Sequence, residues 1–267
     1  MQTAGYIASL FVGISLGLIG GGGSILTVPL LVFLFGINPI LSTSYSLFIV
    51  GTTSLVGAID NYRKNLVRVK VAILFGMSSI TTVFITRKFL IPLIPNKLFT
   101  INGFTVTQSW ATMILFAAVM IMAANAMIRN ETNTIKVNTK KDSNLIILLS
   151  YGVAVGLATG ILGAGGGFLL IPTLVLIVGL PMKEAVGTSL LIIALNSLIG
   201  FTGDLGHFVI DWKFLGVLTG IAVAGIIVGG LLNKKIHGEK LKKGFGWFVL
   251  IMGVFILVHE IFFYNWK

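Results

Sequence analysis

GLIGGGGSILTVPLLVFLFG, residues 17–36, returns 143 positions later as GILGAGGGFLLIPTLVLIVG, residues 160–179. From residue 17 to residue 57 the offset holds without a gap. It pairs Gly20 with Gly163, Gly22 and Gly23 with Gly165 and Gly166, Pro29 with Pro172, Gly36 with Gly179, Ser46 with Ser189 and Gly57 with Gly200, and 15 of the 41 positions are identical. A biased composition supplies shared Leu and Ile, but not two prolines and an ungapped glycine register, so the chain carries an internal repeat.

Both copies are apolar enough for a bilayer, and so is the rest. With 56% hydrophobic residues, 10% charged residues and a mean hydropathy of +1.02, the composition excludes an ordinary soluble domain. The reading is all-α, a polytopic helical membrane protein in contact with the lipid bilayer. Apolar segments fall near 4–19, 24–36, 42–59, 69–86, 110–128, 145–162, 167–180, 186–202, 213–232 and 245–263. Several reach the roughly 20 residues that a crossing needs. Two do not: 24–36 and 167–180 have the length of broken or re-entrant helices, and they occupy matching places in the two repeats. Short, Gly/Pro-interrupted segments in corresponding positions point to the binding site of a transporter. Residues 4–19 lack a charged leader and are read as part of the fold, not as a signal peptide.

The charge of +11 and the pI near 10.0 do not point to nucleic acid, because the 19 Lys and Arg sit in short loops between apolar segments. Sorted by side, Arg63, Lys64, Arg68, Lys70, Arg129, Lys136, Lys140, Lys141, Lys183, Lys234, Lys235, Lys240, Lys242 and Lys243 fall together. Arg87, Lys88, Lys97, Lys213 and Lys267 fall opposite. The positive-inside rule puts the larger group in the cytoplasm and both termini outside, in the plasma (inner) membrane. An odd number of crossings per repeat then makes the topology inverted. The domain reading is a first transmembrane repeat over 1–127, a cytoplasmic linker over 128–144 and a second repeat over 145–267. Residues 91–108, with two prolines and Asn102-Gly103, read as an outer loop.

A helix that starts within the membrane leaves its first N–H groups without partners, and glycines let an anion approach them at the positive end of the helix dipole. Gly20, Gly21, Gly22, Gly23 and Ser24 form one such turn, and Gly163, Gly165, Gly166 and Gly167 the other. The two are expected to face a shared site for a small anionic substrate, with no buried lysine or arginine. A second polar layer on the following segments, Thr43, Ser44, Ser46, Thr188, Ser189 and Asn196, offers uncharged donors. Asp60, Asp204 and His207 are the candidates for proton coupling, although a solvated helix end explains each of them too. No cysteines, three scattered histidines and no nucleotide motif leave no metal, no cofactor and no enzyme chemistry to expect. A homo-oligomer is left open. The competing reading is a channel-like or structural subunit whose glycines only pack helices.

GGGGSILTVP and LFGINP in the first half, with GAGGGFLLIP, VGLP and AVGTSLL in the second, resemble the TauE/SafE family, the sulfite exporters. The resemblance covers nearly the whole chain. It is closer in the second half, since Ser42-Thr43-Ser44-Tyr45-Ser46 departs from the usual A-x-G-T-S-like pattern. It implies inner-membrane export or uptake of small sulfur-containing anions such as sulfite or organosulfonates, and with the two repeats the reading is a secondary transporter that works by alternating access.

Overall fold

The computed structural model describes residues 2–101, 104–128, 145–176, 178–232 and 238–262. The glycine runs are where helices stop. Helix α1 (Gln2–Ile19) ends at Gly20, whose amide donates to the Leu16 carbonyl at 2.9 Å and whose φ is +76°. Gly163 stops a second helix alike, its amide donating to Thr159 at 2.9 Å with φ +66°. A side chain at either position would be strained, so glycine is what lets the chain turn back into the protein.

A short piece follows each break. In the first half it is a 3₁₀ turn (Gly21–Leu26), α2 (Thr27–Pro29) and a π turn (Leu30–Leu34). α3 (Pro39–Arg63) then starts with Pro39 in its first turn and with the Asn38 side chain accepting from the Ile40 amide at 2.9 Å. α4 (Val69–Ile85) runs on through a π turn (Thr86–Leu90) into α5 (Ile91–Leu93), and β1 (Lys97–Ile101) pairs antiparallel with β2 (Phe104–Thr107) before α6 (Gln108–Ile128). The second half holds α7 (Leu145–Leu162), α8 (Gly167–Leu176), α9 (Met182–Asp204), α10 (Trp212–Leu232) and α11 (Gly238–Phe262). The starts of α3 and α9, and of α4 and α10, keep the offset of the glycine runs.

Pro39–Arg63, Val69–Leu93, Gln108–Asn125, Met182–Asp204 and Trp212–Leu232 are long and apolar enough to cross a membrane, with shorter apolar helices among them. The protein is a multi-pass helical membrane protein.

Two expectations change here. The segment expected to end at 86 continues to Leu93, so Arg87 lies within a helical stretch and not in a loop. The stretch 91–108, expected as an outer loop, contains the β1–β2 hairpin. Residues 129–144 of the expected linker lie outside the described residues.

Helix partners are exchanged between the halves: α1 lies along α10 and α7 along α4, while α3 and α9 cross in the middle. Alternating glycines permit this closeness, with Gly13 and Gly17 against the α10 backbone and Gly152 and Gly156 against that of α4. Contacts also fix the directions. Ser9 reaches Leu218 and Gly17 reaches Ile226, so α1 and α10 run the same way. Gly152 faces Phe75 and Gly160 faces Thr86, so α7 and α4 do too. By contrast Phe48 meets Phe201, Gly51 meets Leu198 and Gly57 meets Leu190, which makes α3 and α9 antiparallel. α6 and α11 are antiparallel as well, with Trp110 Nε1 donating to the Glu260 carbonyl and Gly253 beside Met120. At one end of the bundle Arg68, just before α4, holds Glu184 of α9 through Nε and Nη2 at 2.6 and 2.8 Å.

Candidate functional site

At the centre the two glycine turns meet. A Cβ added to Gly21 would stand 2.8 Å from the carbonyl carbon of Gly167 and closer still to its Cα. Around this contact the repeat is kept in detail: Gly20 faces Val186 of α9, and Gly163 faces the equivalent Thr43 of α3. Gly165 abuts Val50, Ile193 and Ser197, Gly166 abuts Thr159, Gly23 abuts Ser15, and Gly22 lies in the 3₁₀ turn. The runs are brought together, and they are closely packed by each other and by α3 and α9.

The polar layer divides into groups with local work and groups without. The Ser24 hydroxyl donates to the Gly21 carbonyl at 2.7 Å and Ser189 to Val186 at 2.8 Å. Thr188 accepts from the Arg68 amide at 2.9 Å, while at the equivalent place in the other half Tyr45 accepts from the Asp211 amide at 2.8 Å. Those two bonds anchor the starts of α4 and α10. Asn196, fully buried, donates from Nδ2 to Ser79 at 2.6 Å, and its Oδ1 has no donor among the described residues. Ser46, Ser54 and Ser197 are likewise buried with unpaired hydroxyls among the described residues. Such groups are costly to bury without partners.

The strongest feature was not foreseen. Arg87, in the π turn after α4, is 0% exposed, and Asp204, the last residue of α9, is 1% exposed. Arg87 Nη1 donates to Asp204 Oδ2 at 3.3 Å and to Thr43 Oγ1 at 3.0 Å, while Thr43 donates onward to the Ile40 carbonyl. Ser44 lies beside the Asp204 carboxylate. Gly200 and Gly203 of α9 make room for the arginine stem, since a Cβ at Gly203 would stand 3.1 Å from Cβ of Arg87. This changes two readings: a buried arginine does bond to Thr43 of the polar layer, and Asp204 is not a solvated helix end. Asp60 does keep the surface reading, being exposed and paired with Lys64, and His207 is exposed. Removing either member of the buried pair alone would strand a charge, at about 3–5 kcal/mol.

Two cavities approach this centre from opposite ends of α3. One, of about 190 Å³, is lined by Gly17, Gly57, Asp60, Asn61, Lys64 and Gly230, among others. The other, of about 470 Å³, is lined by Asn38, Asn96, Gln108, Arg87, Asp204 and His207, among others. The larger is the one of ordinary ligand-pocket size.

The comparisons agree with this architecture. The profile of the family described as Sulfite exporter TauE/SafE matches residues 6–256. A probable membrane transporter protein of Xylella fastidiosa is 27% identical over 254 residues, covering 92% of this chain and 91% of its own length. The probable membrane transporter protein YunE of Bacillus subtilis is 27% identical over 271 residues, covering 94% and 93%. One from Methanocaldococcus jannaschii is 25% identical over 270 residues, covering 94% of each. No solved structure matches the chain. The glycine breaks, the paired halves and the near full-length family match together place this chain in the sulfite exporter TauE/SafE family of membrane transporters.

Proposed function

We propose that the chain is a secondary transporter for a small sulfur-containing oxyanion or organosulfonate of the sulfite type. It works by alternating access, with one half rocking against an inverted other half about the glycine contact. The observation that carries the reading is the meeting of the two broken segments between antiparallel α3 and α9, with one cavity toward each end. Broken helices meeting at a repeat interface are how such transporters expose one site to two sides. The antiparallel directions of α3 and α9, and of α6 and α11, support the inversion. Arg63, Lys64, Arg68, Lys70 and Lys183 gather at the end of the smaller cavity, which supports a cytoplasmic assignment for it and an outer one for the Arg87 cavity. The amides of Gly21–Ser24 and Gly165–Gly167 and the hydroxyls of Ser44 and Ser46 are the uncharged part of the proposed site, the Gly20 and Gly163 amides and the Thr43 hydroxyl being already bonded within the protein. Asp204, the one buried member of the three proton-coupling candidates, lines the proposed outer cavity and is proposed to carry the coupling proton.

The packing reading keeps one observation in its favour, the close fit of Gly21 on Gly167. Flux separates the two. In proteoliposomes, sulfite and methanesulfonate should enter saturably under an imposed gradient, each competing with the other. Unsaturable leak for both, or none, would leave the glycines with packing alone.

A further inference from the structure

We propose that Arg87 is the charged anchor of the anion site, in the larger cavity, and that Asp204 holds the place of the anion when none is bound. The inference rests on the transport reading above and adds to it the group that recognises the charge. Guanidinium donors come in a fixed planar fork, and the edge formed by Nε and Nη2 matches two oxygens of one oxyanion. Here Asp204 and Thr43 both take Nη1, and Nε and Nη2 have no acceptor among the described residues. A structural ion pair would use the fork at 2.7–2.9 Å or so; this one uses a single nitrogen at 3.3 Å. The residue is fully buried in the wall of the 470 Å³ cavity, so a ligand there reaches it when that wall gives way, and then meets a cation that water does not screen.

The repeat supplies an independent observation. At the offset of 143, the partners of Arg87, Asp204 and Thr43 are Gly230, Asn61 and Val186. Gly230 and Asn61 line the smaller cavity, which therefore occupies the equivalent place without a buried cation, its Lys64–Asp60 pair being exposed. The ligand class is a small anion presenting two oxygens on one face, as sulfite and sulfonates do.

The test uses the full chain purified in an uncharged detergent, with sulfite and methanesulfonate as probes, titrated calorimetrically and by ligand-induced shift of the unfolding midpoint. Arg87→Leu/Asp204→Leu removes both charges, a change that buried pairs commonly tolerate without loss of fold. It should unfold like the wild type and bind each probe roughly ten- to hundredfold more weakly. Asp204→Asn should bind at least as tightly as the wild type, because the competing carboxylate is gone. Binding by the double variant within threefold of the wild type would overturn the anchor while leaving transport standing. Should the double variant not fold, Asp204→Asn decides, and weaker binding there overturns it as well. A wild type that binds and carries neither probe sinks the transport reading itself, and a midpoint raised only by phosphatidylglycerol vesicles would make the group a lipid site instead.

Discussion

Gly21→Ala is the smallest change that should stop the two halves from meeting. Gly21 has no positive φ, so alanine there carries no backbone strain and the effect is purely steric. The new methyl would lie 2.6 Å from Cδ1 of Ile193, which can rotate away, and 2.8 Å from the carbonyl carbon of Gly167, which cannot. Carbon atoms in contact settle near 3.5 Å, so the two turns must separate by at least about 0.7 Å. Overpacking of that kind costs roughly 1–3 kcal/mol, since backbone and not a side-chain tip must yield. For a domain of this size that is a fall of about 2–12 °C in the unfolding midpoint. Gly220→Ala in α10 is the internal control, because a Cβ there meets nothing within 4 Å. Both variants would be followed by thermal unfolding in detergent and by sulfite flux in proteoliposomes. If Gly21→Ala unfolds at the same temperature as Gly220→Ala and transports normally, the turns do not touch as described, and the central contact is lost as an explanation.

Two more expectations follow from the buried polar layer and from the cavities. Asn196→Leu/Ser79→Ala removes both partners of a buried hydrogen bond and also the unpaired Oδ1, so it should unfold no lower than the wild type while sulfite flux falls; a large loss of stability would show that the pair holds α4 to α9 and nothing else. The chain has no cysteine, so Lys64→Cys and Asn96→Cys each give one thiol, in the smaller and the larger cavity respectively. An impermeant maleimide should label Asn96→Cys in right-side-out vesicles and Lys64→Cys only in inverted ones; the opposite pattern would reverse the proposed orientation.

Much of this was legible because the repeat is written in residues with a strict backbone meaning. Gly20 and Gly163, and Gly36 and Gly179, all have positive φ in the structure, so the same four breaks can be read from glycine register alone. The short segments between them, and the polar starts of α3 and α9, follow from those breaks. Arg87 is hidden in the hydropathy pattern, because a charge reads as the end of an apolar segment. The repeat itself held the missing signal: the segment 213–232 maps at the same offset onto 70–89, which carries the helix of the first half past Arg87. The hairpin was signalled too, by Asn102-Gly103 between stretches of alternating polarity, a strong turn pattern that gave way to the weight of two prolines. What no sequence pattern could give is the pairing of Arg87 with Asp204, since they stand 117 positions apart and only the exchange of helix partners between halves joins them.

That pairing matters because it breaks the symmetry of the two copies at one point. If the halves were equivalent, the states open to either side would be equally stable and would present the same site to each face. In the proposed scheme Arg87, Asp204 and Thr43 give one end a buried cation with a built-in competitor, while the equivalent Gly230, Asn61 and Val186 give the other end no buried charge, its Lys64–Asp60 pair being exposed. Charge buried on one side only shifts the resting population and the affinity offered to each side, because a ligand or an internal carboxylate moves an equilibrium only by its differential binding. It cannot set the direction of net flow, which belongs to the gradients of the anion and of any ion carried with it. In the proposed scheme the name of exporter or importer is therefore a property of those gradients, and what the fold contributes is an outer end where an anion must displace Asp204 before it can be held.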